Sequence, residues 1–443
     1  MFCGTAEAVP FQNNDLLDLQ VYAIAIIPRP WSLPFGDTGG MVLAKFVPQV
    51  FTILYWLLAL GWLRLAIGAL RGMPTLPDLT RLDTAALPEL PADEAPHLTV
   101  IVPACNEEES IKATLRSLLG STGLRMEVIA VDDRSTDQTG KLMDEVAAEA
   151  TASGGANRLR VMHVTELPAC WLGKPHALAL ATQRARAPWL LFTDGDVIFH
   201  PQALELSLRY ALSSHADHLV LLPTLILKTA GEAAMVAAFS VMGEWSIRPW
   251  KVADPRARDF AGLGGFNLVR REVYARLGGF EALRMEVVDD LRLGWLVKRA
   301  GYAQRVAIGP GLIRIRWLQG VFGVVNLLEK NAFAVFRYRV GLTLLACLGL
   351  AATMVWPLAA MGAGGWALAA GLLTYASVAL AYGANCRATQ VSPWYAVFFA
   401  PAIAIVFFAT LRSMVLALLR NGVEWRGTRY PLAELRRHAG RGW

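Results

Sequence analysis

The stretch "LLFTDGDVIFH", residues 190–200, decides how the chain is read. An apolar run rises to Thr193 and then delivers Asp194 and Asp196 with only Gly195 between them. On an extended backbone, residues i and i+2 share a face. Two carboxylates placed so repel each other unless a cation lies between them or water solvates a turn. These residues alone leave both readings open. Working outward, similar apolar runs recur as "LTVIV" (98–102), "EVIAV" (127–131), "LRVMHV" (159–164) and "HLVLL" (218–222). Between them lie stretches of helical periodicity, such as "EESIKATLRSLL" and "TDQTGKLMDEVAAEA". Continuous apolar runs joined by helical crossovers predict an α/β fold. Its sheet is mostly parallel, with helices on both faces. Right-handed crossovers then put ligands outside the carboxyl ends of the strands, where the chemistry is to be sought.

The surroundings of this segment belong to another environment. Of the 443 residues, 55% are hydrophobic, unevenly spread, and the mean hydropathy is +0.39. Residues 41–70 are apolar enough to serve as a transmembrane anchor, and 1–40 read as an irregular segment. The proline-rich stretch 71–97 reads as an extended tether. Residues 98–315 hold the α/β pattern, and 316–339 read as a basic, amphipathic interfacial segment. Within 340–420 lie about three further candidate spans, and 421–443 form a basic tail. The expected location is therefore a membrane crossed several times, with the α/β domain on its cytoplasmic face. Three later crossings would put the basic tail outside, against the positive-inside tendency, and Arg412 sits inside the last candidate span. One of those segments is then re-entrant or interfacial. The net charge of +6 gathers near the membrane-flanking stretches, which points to an anionic lipid surface and not to nucleic acid. Five scattered cysteines suggest neither a disulfide framework nor a zinc site.

Chemistry-bearing residues cluster at the predicted strand ends. The first strand runs into "PACNEE", with Pro103, Cys105 and Glu107. There Asn106 and Glu107 either cap the next helix or frame backbone N–H groups for an anion or a base. The second ends Val131, Asp132, Asp133, where an aspartate accepts hydrogen bonds from a base or ribose or is solvated beside a helix cap. At the fourth, Asp194 and Asp196 can reach one hard cation, Mg²⁺ or Mn²⁺, which also binds diphosphate oxygens. Lys174, before a helical run, offers charge to phosphate. Asp289 and Asp290 open another helix, where the dipole stabilises them and where a base could take a proton from an acceptor hydroxyl.

The ordered set "VPACNEE", "VDDRSTDQT", "GKPHAL", "TDGD", "GGFNLVRREVYARLGGF", "VVDD" resembles the family 2 glycosyltransferases, whose fold is GT-A. The layout of spans is similar to that of their hopanoid-associated, carotenoid and ceramide-type lipid glycosyltransferases. The resemblance implies that Pro103, Cys105 and Glu107 match the P-x-Y-N-E nucleotide segment, with Cys105 where an aromatic is usual. Val131 and Asp133 match positions that hold base and ribose. Asp194, Gly195 and Asp196 match the metal-binding D-x-D. Gly264 and Gly265 match the acceptor-side loop, and Asp290 matches the general base, with Asp289 replacing the usual glutamate. Of the processive Q-x-x-R-W motif, Arg316 and Trp317 remain while Ile313 stands at the glutamine position, which argues against polysaccharide synthesis. Arg316 either faces the diphosphate or lies on anionic headgroups. Trp317 falls on the acceptor side.

The expected activity is an inverting transfer from a nucleotide-diphospho-sugar to a lipid acceptor. Three alternatives stand beside it: a polyprenyl-phosphate glycosyltransferase, a processive polysaccharide synthase, and a catalytically silent subunit of a membrane assembly. The sequence leaves the sugar, the acceptor lipid and the oligomeric state open.

Overall fold

The computed structural model describes residues 37–92, 95–154 and 158–439, with side chains from residue 47 onward. The chain divides into two compact units, residues 1–51 and 52–443. The expected irregular segment 1–40 lies outside the described residues up to position 36. Helix α1 runs Asp37–Gly72.

Within the second unit, the predicted strands form where the apolar runs stand. They are β1 (Leu98–Ala104), β2 (Met126–Asp133), β3 (Leu159–Val164), β4 (Trp189–Phe192), β5 (Val197–Phe199), β6 (His218–Leu222), β7 (Thr224–Leu225), β8 (Asn267–Arg270), β9 (Gln304–Ile308) and β10 (Ile313–Ile315). Seven of them make the main sheet in the order β3-β2-β1-β4-β8-β6-β9. The sheet is parallel except for β8, which runs against both neighbours. Alternate residues sort to opposite faces. Val100, Val102, Val128, Ala130 and Leu191 join one core, while Ile101, Ile129, Val131, Leu190 and Phe192 join the other. A strand buried on both faces needs no polar alternation, which is why these runs read as continuous. Helices α2 (Ile111–Leu119), α3 (Thr139–Ala152), α4 (Gly173–Thr182) and α5 (Ala203–Ser213) cover the faces. So do α6 (Ala230–Gly243), α7 (Arg271–Arg276) and α8 (Asp289–Arg299). A small second sheet, β5-β10-β7, flanks the main one.

Residues 71–97 do not run as a tether. They make short 3₁₀ turns at Met73–Thr75, Leu79–Arg81 and Thr84–Ala86, and Asp78 bridges Ile308 beside the edge strand β9. Leu79 is buried in the core with Leu98 and Leu219, and Leu76 packs with Val220 and Val306. The Arg209 guanidinium donates to the carbonyls of Thr84 and Leu87. Prolines stop regular helix, but they leave spaced leucines free to pack as a strap.

After α9 (Gly323–Val335), three long apolar helices follow: α10 (Val340–Ala363), α11 (Gly365–Thr389) and α12 (Phe399–Leu419). With the stretch Val47–Thr75, four helices among the described residues are long and apolar enough to cross a membrane. Gly364 and Gly365, both at positive φ, turn α10 back into α11. Gly371 then lets the two helices meet, since a Cβ there would press on the Pro357 carbonyl. The far end of α11 returns to the α/β domain, where Asn385 Nδ2 donates to Glu244 at 2.6 Å. Helix α12 starts against Trp62 and Tyr382 and packs its first half near α6. It ends beside α9, where Arg412 pairs with Glu329 and the Phe333 N–H donates to Ser413 Oγ at 3.1 Å. Both ends of α12 thus lie on the domain side.

The basic tail is also not a loose extension. It folds as a hairpin, β11 (Gly422–Trp425) and β12 (Thr428–Pro431), followed by α13 (Leu432–His438). Val423, Tyr430, Leu432 and Leu435 bury against Leu172, Met285 and Phe333. The apolar residues that alternate with its charged ones are what fold this basic segment onto the domain.

Candidate active site

The strand ends on this edge of the sheet converge. Pro103, Cys105, Glu107, Asp133, Lys174, Asp194 and Gly195, all expected from the sequence, line one cleft. Two loops are stitched together to form its floor. The Glu107 N–H donates to Thr139 Oγ1 at 2.7 Å, and Asn106 Oδ1 accepts from the Thr136 N–H at 2.8 Å. Asn106 adopts a positive φ to make this link. It and Glu107 therefore join loops, and neither caps α2. Asp137 accepts from the Thr139 N–H at 2.9 Å and so opens α3. Val131 does not line the cleft; it lies two residues before Asp133, fully buried in the core.

Lys174 Nζ donates to Asp194 Oδ1 at 2.6 Å. Burial opposes the lysine's charge, but Asp194, Asp289 and Asp290 more than offset that and raise its pKa. Burial likewise opposes the Asp194 carboxylate, yet Lys174 holds its pKa below the usual range. Asp196 has no such partner. Burial, then the charges of Asp194 and Glu107, push its carboxyl up to about 7, and its buried Oδ1 has no hydrogen-bond partner. The positive charge that the sequence called for is supplied to Asp194 by Lys174 and is still lacking at Asp196.

The loop before β8 closes over this pair. At Gly264 a Cβ would collide with Asp194 Oδ2 and lie 3.3 Å from Lys174 Nζ, so only glycine permits the approach. Gly265 packs beside Val197, and its carbonyl accepts from Thr193 Oγ1 at 2.8 Å. Asp289 is buried; burial, then Asp290 and Asp194, raise its carboxyl to about 7 despite Lys174. Asp290 is half-buried at the start of α8, its Oδ1 accepting from the Leu291 N–H at 2.8 Å. The Asn267 amide reaches the Asp290 carbonyl at 3.4 Å and ties that helix start to the sheet.

Arg316 and Trp317 are placed elsewhere. Arg316 pairs with the buried Glu232 of α6 at 3.4 Å, and Trp317 stands edge-on to Phe239 with centroids 5.2 Å apart. Neither lines the cleft. Instead the tail supplies residues that sequence reasoning passed over: Trp425, Arg426 and Tyr430. Arg426 donates to the Cys105 carbonyl and to Glu107 Oε1, the latter at 2.6 Å. Lys330 of α9 sits 3.8 Å from the centre of the Trp425 ring. The available signal was the "EWRGTRY" pattern, alternating residues around an Arg-Gly pair of the kind that turns a hairpin.

Residues 99–278 match the family model described as glycosyl transferase family 2. The matched segment runs from the first strand of the main sheet to the end of α7 and takes in less than half of the chain. Among curated proteins, this chain is similar to the 4,4'-diaponeurosporenoate glycosyltransferases of several Staphylococcus aureus strains, at 28% identity over 199 residues. The match takes in 44% of this chain and 50% of theirs, so the chain spans about half the length of the curated relatives it matches. Among solved structures, it is similar to the mannosyltransferase PcManGT of Pyrobaculum calidifontis in complex with GDP-Man and Mn²⁺. There the identity is 17% and the TM-score 0.47, over 84% of this chain and 97% of that one. A second is S. aureus TarS 1–349 in complex with UDP, at 18% identity and TM-score 0.34, over 54% and 65% of the two chains.

Proposed function

We propose that this chain is a membrane-bound inverting glycosyltransferase that moves a sugar from a nucleotide-diphospho-sugar to a lipid acceptor, with its catalytic domain on the cytoplasmic face. The observation that carries the reading is the meeting of Asp133, Lys174, Asp194, Asp196, Asp289 and Asp290 at one sheet edge. That edge belongs to a family 2 domain joined to helices apolar enough to cross a membrane. The curated relatives' named substrate, a carotenoid acid, supports an apolar acceptor.

A divalent cation fits at Asp194 and Asp196. Both present hard oxygen donors, and the buried, unpartnered Asp196 Oδ1 marks where positive charge is wanting. Among the described residues no cluster of three or more metal-ligating side chains occurs, so the two aspartates would share the ion with water and the donor's phosphates. Bound there, Mg²⁺ or Mn²⁺ would supply charge against the diphosphate. The chain's own residues do the rest. Asp133 accepts hydrogen bonds from the nucleoside, and Pro103, Cys105 and Glu107 frame it. Lys174 holds Asp194 in place and offsets its charge. Asp290 accepts the acceptor's hydroxyl proton, and the buried Asp289 beside it sets the local field. Gly264 lets the acceptor loop lie directly on the donor carboxylate.

The test is incubation of membranes carrying the protein with labelled UDP- and GDP-sugars, followed by lipid extraction and mass analysis. Label should appear in an extractable lipid. Label found only in polymer, or in no product with any donor, would sink the reading.

A further inference from the structure

The hairpin of β11 and β12 sits on the cleft through several contacts. Its turn is Arg426-Gly427, with φ of 50° and 74°. Two successive positive φ values make the type of two-residue turn that favours Asn-Gly or Gly-Gly, because a side chain at the first position is strained. Here that position carries an arginine, whose side chain reaches into the cleft to Cys105 and Glu107. The neighbouring residues bind the other walls. Arg134 Nη1 donates to Thr428 Oγ1 and the Gly173 N–H donates to Tyr430 Oη, each at 3.3 Å. Strain held in place by surrounding contacts, with the strained residue aimed into a ligand cleft, argues for a function at that residue.

Charge gives an independent indication. Arg426 and Lys174 line the cleft, and Lys330 lies 3.8 Å from the centre of the Trp425 ring that also lines it. Burial, Lys174 and Arg426 together lower Lys330's pKa to about 8. Asp196, next to the lining residue Gly195, has a buried Oδ1 without a hydrogen-bond partner and the like charges of Asp194 and Glu107 close by. A cleft that gathers three cations around these carboxylates suits a metal-bound diphosphate, which would exchange for the carboxylates as their anionic partner. A guanidinium is suited to the diphosphate because its fork of N–H donors matches two phosphate oxygens.

We infer that Arg426, presented by the C-terminal hairpin, is a donor-binding residue that leaves Glu107 for the diphosphate of the nucleotide-sugar. The hairpin is thereby one wall of the donor site. This rests on the reading of the cleft as a nucleotide-sugar site.

The test uses the full chain in detergent, with UDP and GDP each added together with Mn²⁺ and binding followed by calorimetry. The unaltered protein should bind one of the two, and Arg426→Ala should weaken that binding by about ten- to a hundredfold. Arg426→Lys should recover part of the loss, and Arg429→Ala on the outer strand should change nothing. Hydrogen exchange on the unaltered protein gives a measurement free of any folding defect: amides 422–431 should slow when the nucleotide binds. Equal or tighter binding by Arg426→Ala, or unchanged exchange in the hairpin, would overturn this inference alone. Failure of the unaltered chain to bind either nucleotide overturns the nucleotide-sugar reading, and this inference with it.

Discussion

Asp196 and Asp290 differ in what their removal does. Asp196 is held against Asp194 and Glu107 with a carboxyl raised to about 7, so its charge works against the fold. Asp196→Asn removes that repulsion. The expected variant melts no lower than the parent yet loses metal-dependent nucleotide binding, measured by thermal unfolding and by calorimetry with and without Mn²⁺. Retained metal dependence would take Asp196 out of the site. Asp290 stands at the start of α8, beside Lys174 but not bonded to it. Asp290→Asn should keep nucleotide binding while turnover falls about 10²–10⁴-fold, the usual contribution of a general base. Transfer at the parent rate would refute the assignment. At this scale much was legible, because acids at predicted strand ends must share one sheet edge. What was not legible was the pairing: nothing in "GKPHAL" says that Lys174 takes Asp194 and leaves Asp196 alone.

Strands β6, β8 and β9 are locked by three buried polar side chains. His218 Nε2 lies 2.6 Å from Asn267 Oδ1, and Gln304 Nε2 lies 2.8 Å from His218 Nδ1. The ring thus donates to Asn267 through Nε2 and accepts from Gln304 at Nδ1, which is a neutral tautomer. A proton on Nδ1 would face the Gln304 amide hydrogens. Burial lowers this histidine's pKa to about 4, although Asn267 works against that. The unfolded chain, with a histidine near 6.5, therefore binds more protons between pH 6.5 and 4, and stability is lost as pH falls through that window. At pH 4.5 the loss is roughly 2.5 kcal/mol. His218→Gln, able to donate and accept in the same two directions, should lose less melting temperature between pH 7 and 4.5 than the parent. Parallel shifts in the two proteins would show that His218 does not titrate this way. Gln304 also holds the Ala261 backbone and Asn267 holds the Asp290 carbonyl, so the network fixes the loop before β8 as well. The strands themselves were legible from apolar runs. The packed strap at 71–97 and the hairpin at 422–431 were hidden, since proline content and charge spoke louder than spaced leucines and an alternating pattern.

Across the whole molecule, we propose from the hairpin which side of a membrane the tail would take. Arg426 touches Cys105 and Glu107, so the tail shares a compartment with the catalytic domain. An even number of crossings must then separate residue 339 from residue 421. Helices α10 and α11 form an out-and-back pair around Gly364 and Gly365, and α12, with both ends on the domain, stays on its side. The positive charge of the tail then agrees with the positive-inside tendency that three crossings would violate. Cysteines introduced singly at Glu109 and Glu424, in a chain freed of native thiols, should react with an impermeant maleimide from the same side. One at Ala363 should react from the other. Labelling of 109 and 424 from opposite sides would refute this arrangement. The candidate spans were legible from hydropathy, but their number of crossings was not, because α12 is as apolar as a true span and only its neighbours distinguish it.

The hairpin also sets an order of construction. Residue 426 leaves the ribosome after residues 340–419, so the cleft acquires its last wall only when the apolar helices have already been made and can take their place in the bilayer. A chain halted before them carries the whole sheet and every acidic strand end, yet stays open where the hairpin would close the cleft. Under the proposed function, donor capture would thereby be coupled to completed membrane assembly, and a half-made molecule would be kept from spending activated sugar away from its acceptor.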